Sequence, residues 1–257
     1  MIIGVATDIH LDCVTIDKHK RNKIIRIGKN LTDGLDHLIV SGDISTFRWL
    51  PWHMEALFEG ATCPVHWIMG NHDYWGASFR EADKQAEKIK GYIHNKVVEL
   101  NDKNAIIGIN SWFDGRLGDI NNLWDTNDHL KIANLYQNLN RDHRKVIQTV
   151  RNRADHHAGD ARIILEANAG KYDKIFFVTH YPPWNNPEDD KQYYPWSVNS
   201  KMGEILFDIA TKFPHTEFEV IAGHTHHWWQ HQVTDNMVLK IEKATYKQPK
   251  LGRKFEL

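Results

Sequence analysis

Cysteine is almost missing from this chain. Only Cys13 and Cys63 occur among its 257 residues. Nothing in their number or spacing suggests a disulfide framework or a zinc knuckle, so both read as reduced thiols, packed in a protein of the cytoplasm. Long apolar runs are also lacking, and none approaches the roughly 20 residues needed to cross a bilayer. Excess charge is absent too: 32 Lys and Arg face 33 Asp and Glu, for a formal net charge of -1. No global field therefore draws the chain to nucleic acid or to an anionic membrane, and no basic stripe is visible. Met1 runs straight into Ile2-Ile3-Gly4-Val5-Ala6 without a basic flank, and the apolar run stops at Asp8, which reads as a strand and not a signal peptide. No internal repeat, low-complexity tract or linker interrupts the sequence. Pro182-Pro183 and Pro187 mark a loop, not a boundary. One domain over residues 1–257 is expected, of ordinary globular composition, with 41% hydrophobic and 25% charged residues.

What is present is alternation. Strand-like runs occur at 2–6, 37–40, 65–69, 96–100, 105–110, 174–179 and 217–222. Most are continuous apolar runs, as strands buried on both faces require. Helical patterns lie between them at 18–31, 48–58, 78–90 and 203–212. Strand and helix in turn predict an α/β fold with a largely parallel sheet and helices on its faces. Two final strands at 228–233 and 238–242 have no helix between them, and Asp235-Asn236 suits a hairpin turn. The region 128–171 departs from this order. It is polar and free of proline, with Ile132, Leu135, Leu139, Val146 and Val150 at helical spacing. It reads as inserted helices, serving as structural cover rather than as a cap on a site.

The informative feature is where the strands end. Asp8-x-His10, Gly42-Asp43, Gly70-Asn71-His72-Asp73, Thr179-His180 and Gly223-His224-x-His226 each follow an apolar run. Taken singly, most are weak. In strict strand geometry Asp8 and His10 would share a face. Gly-Asp is common in turns, Asn71 could be a left-handed turn residue, and a lone histidine such as His180 is more often a bonded core residue. Together they would need five coincidences. Asp8, His10, Asp43, Asn71, His180, His224 and His226 supply seven oxygen and imidazole donors, enough for two divalent cations sharing one carboxylate. All sit at strand ends, where open α/β sheets place their sites. His72 is read as standing beside the metals, with Asp73 accepting a hydrogen bond from it and fixing its tautomer.

This ordered set, from Asp8 to His226, resembles the calcineurin-like metallophosphoesterases. The resemblance implies a four-layer αββα sandwich, with a helical insertion near 128–171. It implies one metal on Asp8, His10, Asp43 and His226, and a second on Asp43, Asn71, His180 and His224. It also implies phosphoester hydrolysis by a bridging hydroxide, with His72 as the catalytic histidine. One departure is Thr46, where many members carry an acidic or amide residue. The donor set suits manganese first, with iron, zinc or nickel as alternatives. Aromatic and basic loop residues, Trp112, Trp184 and Arg116 above all, are expected to rim the site and hold a small phosphoester such as a nucleotide. A protein phosphatase, a nucleic-acid phosphodiesterase and a non-catalytic interaction module on the same fold are the alternatives.

Overall fold

The structure, a computed structural model, describes residues 1–139 and 142–257. The side chains of 123–125, 138 and 139 fall outside that description, Leu139 of the expected stripe among them. Among the described residues, ten strands form two sheets. The first has the order β10 (Lys254–Glu256), β1 (Ile2–Ala6), β2 (His37–Ser41), β3 (Val65–Ile68). The second runs β4 (Lys96–Asn101), β5 (Asn104–Ile109), β6 (Lys174–Thr179), β7 (Glu217–Ala222), β9 (Met237–Ile241), β8 (Trp229–Thr234). The β1–β2–β3 and β5–β6–β7–β9 pairings are parallel, while β10, β4 and β8 pair antiparallel at the edges.

Side chains sort by parity along each strand, which is the period-2 rule at work. Ile3, Val5, Ile39, Ile68, Ile106, Phe176, Val178 and Ile221 point between the sheets and form a shared inner core. Their neighbours Leu38, Val40, Val65 and Trp67 face outward on the first sheet, with α2 (Arg21–Thr32) and α3 (Leu50–Gly60) belonging to the same outer cluster. Ile107, Ile175, Phe177, Phe218 and Val220 face outward on the second, against α7 (His143–Asn168) and α9 (Ser200–Lys212). The result is the expected four-layer αββα sandwich. The Asp235-Asn236 turn joins β8 to β9 as a hairpin. The sequence reading missed β10, which is only three residues long and owes its form to pairing with β1.

Three further elements are short: α1 (Leu11–Val14), α4 (Phe79–Ala86), whose Ser78 and Glu81 form a capping box, and α8 (Tyr194–Ser197). The insertion comprises α5 (Asp128–Lys131), α6 (Ala133–Leu139) and α7. Ile132, Leu135, Val146 and Val150 are buried with Tyr74 and Trp112, so the predicted stripe is core. Further along α7, Ala158, Ala161 and Leu165 cover the second sheet. The insertion is cover over most of its length, but α5 also reaches the strand ends.

This scaffold holds histidines neutral away from those strand ends. Burial pushes His53, His66 and His94 down to about 4 from an ordinary 6.5. His53 is pinned between Ser45 Oγ at 2.7 Å and the Thr15 carbonyl at 2.8 Å. Each of the three takes its proton in the unfolded chain below pH 6.5, but in the fold only near pH 4. Stability is therefore full above pH 6.5 and is lost as pH falls toward 4. Together the shifts amount to several kcal/mol, at about 1.4 kcal/mol per pKa unit. The urea midpoint is expected to fall steeply between pH 7 and 5. A midpoint constant over that range would show that these rings take up protons in the fold as readily as in the unfolded chain.

Candidate metal centre

All seven predicted donors and His72 converge at one end of the two sheets. The loops that carry them are stitched by backbone bonds, Asp8 N to Gly42 O at 3.1 Å and His10 N to Asp43 O at 3.0 Å. Asp8 and His10 lie beyond β1, so strand alternation does not aim them. Instead Asp8, His10, Asp43, His224 and His226 all take left-handed backbone conformations, with φ of 49°, 37°, 51°, 70° and 60°. A non-glycine residue pays about 1–3 kcal/mol for such a conformation. Five in one cluster mark a site that the surrounding fold holds in place. Asn71, by contrast, is right-handed, with φ -67° and ψ -36°, so it is not the left-handed turn residue its sequence allowed. Two glycines let the loops close. Gly42 has φ 95°, and a Cβ on Gly70 would lie 2.2 Å from Asp43 Oδ1.

Asp43 sits at the centre. Its Oδ2 lies 3.9 Å from His10 Nε2 and 3.8 Å from His72 Nε2, and its Oδ1 lies 3.5 Å from His180 Nε2. On one side, His226 Nε2 is 3.2 Å from Asp8 Oδ1 and 3.3 Å from His10 Nε2. On the other, His180 Nε2 faces Asn71 Oδ1 at 3.1 Å. His180 Nδ1 donates to the Ser41 carbonyl at 2.9 Å, so its Nε2 carries a lone pair and no proton. Asn71 Nδ2 donates to Asp128 at 2.9 Å, which turns Oδ1 toward His180. Two acceptors, His180 Nε2 and Asn71 Oδ1, thus face one another beside the Asp43 carboxyl group, an arrangement that a cation would satisfy. His224 Nε2 lies 3.1 Å from the Trp196 carbonyl and must donate to it, which leaves the lone pair on Nδ1. Three groups, Asp8–His10–His226, His10–Asp43–His72 and Asp8–Asp43–His180, each bring their ligand atoms within 4.8 Å of one another.

The charges point the same way. Burial, then Asp8 and Asp73, pushes the Asp43 carboxyl well above the usual carboxylate range. Burial holds His10 down to about 4, His224 to about 3 and His72 to about 2, and lowers His180 as well. These imidazoles stand neutral, the form that binds metal. Asp8 is the exception among the carboxylates. Burial would raise it, but the hydrogen bond and charge of the His226 ring hold it below its ordinary range.

Four expectations need correction. Asp73 does not accept from His72. Its fully buried carboxylate accepts from the amides of Ile44 (3.1 Å), Ser45 (2.8 Å) and Gly70 (2.8 Å), and so clamps the two loops together. Trp112 is 0% exposed, packed among Tyr74, Phe79, Phe113 and Tyr181. Arg116 forks onto Asp155 at 2.8 and 2.9 Å and also reaches Asp114. Trp184 packs in the outer core of the second sheet beside Gly203. The walls of the site are other residues. A cleft of about 230 Å³ lies over Asp43, Asn71 and His72, bounded by Trp75 and Asp128. A larger one of about 570 Å³ adjoins it and shares Trp196, His224, His226 and Tyr246. Tyr246 leans over His10 and His226 with its ring tilted to both, ring centroids 4.4 and 4.9 Å apart. It comes from a polar segment with no periodic signal, and Asp128 comes from the insertion, so neither was legible. Among the described residues no lysine or arginine lines either cleft.

The sequence profile of the calcineurin-like phosphoesterases matches residues 1–228. The chain belongs to this family. It is accordingly a phosphoric ester hydrolase, of a family built around two divalent cations. Among solved structures, it is similar to the phosphopantetheinyl hydrolase PptH of Mycobacterium tuberculosis, at 14% identity and a TM-score of 0.67, over 95% of this chain and 89% of that one. It is also similar to a dimetal phosphatase of Danio rerio, at 11% identity and a TM-score of 0.59, over 99% and 91%. A 5'-nucleotidase of Candida albicans shares the fold at 14% identity and a TM-score of 0.50, over 94% of this chain but 45% of that one. No curated protein sequence matches. No helix among the described residues is long and apolar enough to cross a membrane.

Proposed function

We propose that this phosphoesterase hydrolyses a small phosphoester of nucleotide size in the cytoplasm. In this reading one divalent cation is held by Asp8, His10, Asp43 and His226, and another by Asp43, Asn71, His180 and His224. The observation that carries it is the meeting of His180 Nε2, whose ring turns Nδ1 to the Ser41 carbonyl, with Asn71 Oδ1 at 3.1 Å and Asp43 Oδ1 at 3.5 Å. Manganese is the cation of first choice for this mixed carboxylate, amide and imidazole set. When bound, the pair would neutralise phosphate oxygens and lower the pKa of a water from about 15.7 towards 7.

The chain does the rest. Asp43 spans both halves of the donor set and fixes their separation. His72 lines the smaller cleft, stacked on Trp75 with ring centroids 3.5 Å apart. Its neutral ring offers a hydrogen bond to the leaving oxygen, and an anionic phosphoester beside it would raise its proton affinity toward that of a general acid. Trp75, Trp196 and Tyr246 give the substrate's organic part flat apolar walls. Arg116 is turned away onto Asp155, and no lysine or arginine among the described residues lines either cleft to grip a second phosphate, which favours esters with a single phosphoryl group.

A panel of mononucleotides, diesters and phosphopeptides, assayed after chelation and again after adding Mn²⁺, tests the proposal. Hydrolysis of mononucleotide-sized esters is expected to vanish with the metal and return with Mn²⁺. Activity that survives chelation would refute the metal reading. Activity on phosphopeptides alone would move the assignment to a protein phosphatase.

A further inference from the structure

The insertion enters the site through one short helix, α5. Asp128 at its start is 3% exposed. Its Oδ1 accepts two hydrogen bonds from the GNHD loop region, from Asn71 Nδ2 at 2.9 Å and from Trp75 Nε1 at 2.7 Å. Both donors bear on the reacting groups. Asn71 offers its carbonyl oxygen toward His180, and Trp75 stacks on the ring of His72 at an interplanar angle of 26°. Lys131, at the other end of the same helix, places its ammonium 3.6 Å from the Trp75 ring centroid.

We propose that Asp128 is a positioning residue that sets which end of the Asn71 amide faces the metal centre. An amide can present either oxygen or nitrogen, and the two ends differ little in shape. Only the oxygen carries a lone pair for a cation. A carboxylate can only accept, so Asp128 selects the orientation with Nδ2 toward itself and Oδ1 toward His180. Without an acceptor at 128, Asn71 Nδ2 is left unpaired in a buried pocket. The amide is then free to turn and point N–H groups at the cation. The same loss releases Trp75 Nε1, and with it the surface against which His72 rests. Both contacts come from a segment distant in sequence, so the insertion works on the centre as well as covering the sheet.

This inference rests on the reading of Asn71 as a ligand, and the test separates the two. Mn²⁺ is titrated calorimetrically into metal-free protein, to give the number of cations and the affinity of each. Wild type is expected to bind two. Asp128→Ala is expected to weaken one of them by about 10–100-fold, the usual cost of losing a group that orients a ligand, and to leave the other nearly unchanged. Asp128→Asn keeps an acceptor oxygen in the same place and should restore most of that affinity. In an Asn71→Ala background, Asp128→Ala should cost nothing more, because the two act through one contact. If Asp128→Ala is recovered unfolded, Asp128→Leu fills the same space without an acceptor and is read in its place.

Two tight cations in both wild type and Asp128→Ala would overturn the positioning role and leave the ligand reading intact. Equal losses in Asp128→Asn and Asp128→Ala would overturn it in favour of a purely electrostatic effect of the carboxylate. Fewer than two cations in wild type would remove the ligand reading, and this inference with it.

Discussion

His72→Ala is expected to keep both cations and to lose about 10²–10⁴ of the turnover, the usual worth of a positioned acid or hydrogen-bond donor. That range corresponds to about 3–5 kcal/mol of barrier. The ring is poised for such a role. It lines the smaller cleft, its Nε2 lies 3.8 Å from Asp43 Oδ2, and Trp75 fixes its plane. Its Nδ1 is buried without a partner, so no carbonyl or carboxylate holds the ring in one tautomer, and the proton can sit on either nitrogen. The rival role is visible too, because His72, His10 and Asp43 form one of the three groups whose ligand atoms converge. Elemental analysis alongside kinetics separates the two. Unchanged metal with lost turnover makes His72 a residue that acts on the substrate. Metal that falls in step with turnover makes it a ligand.

Much of this architecture was readable because burial on both faces leaves an unmistakable mark. Strands such as His37–Ser41 and Lys174–Thr179 are covered by a sheet on one side and helices on the other, so their apolar runs, residues 38–40 and 175–178, are unbroken. The donors were readable for a related reason. Asp8, Asp43, Asn71, His180 and His224 all follow such runs, and a polar metal-seeking residue at the end of an apolar strand stands out. What failed were inferences about direction. Asp73 follows His72 in the chain, and adjacency suggested contact, but the tight turn His72–Tyr74 aims its carboxylate at backbone amides of the Asp43 loop. Trp112 looked like a loop aromatic free to stack on a base, yet four aromatic neighbours enclose it. Arg116 looked free, and found Asp155 on α7, 39 residues away. Asp128 and Tyr246 were invisible, because tertiary packing alone brings α5 and the chain after β9 to the site. Local patterns carry periodicity and strand ends well. They carry no information on which distant side chain will meet them.

The clamp formed by Asp73 makes the second large expectation one of stability rather than chemistry. Asp73→Ala removes the acceptor from three buried amides at once, those of Ile44, Ser45 and Gly70. A buried donor left unpaired costs about 1–3 kcal/mol, so the variant should lose at least about 3 kcal/mol, a large share of the 5–15 kcal/mol typical of a folded domain. For a chain of this size that corresponds to a fall in Tm of roughly 6–12 °C. Metal binding should weaken with it, since the same clamp holds the loop carrying Asp43 against the loop carrying Asn71, where His72 N donates to Asp43 Oδ1 at 2.8 Å. Asp73→Asn keeps one acceptor oxygen and should fall between Asp73→Ala and wild type in Tm. The measurement also decides between the two readings of this residue. A tautomer-fixing partner of His72 would, on mutation, lower turnover and leave Tm almost untouched. A clamp lowers Tm first, and loses turnover only as far as the cations are lost. Thermal denaturation of metal-free Asp73→Ala beside metal-free wild type isolates that difference, because without cations the Asp73 carboxylate carries three of the bonds that join the loops, beside the His72 N–H bond to Asp43 Oδ1.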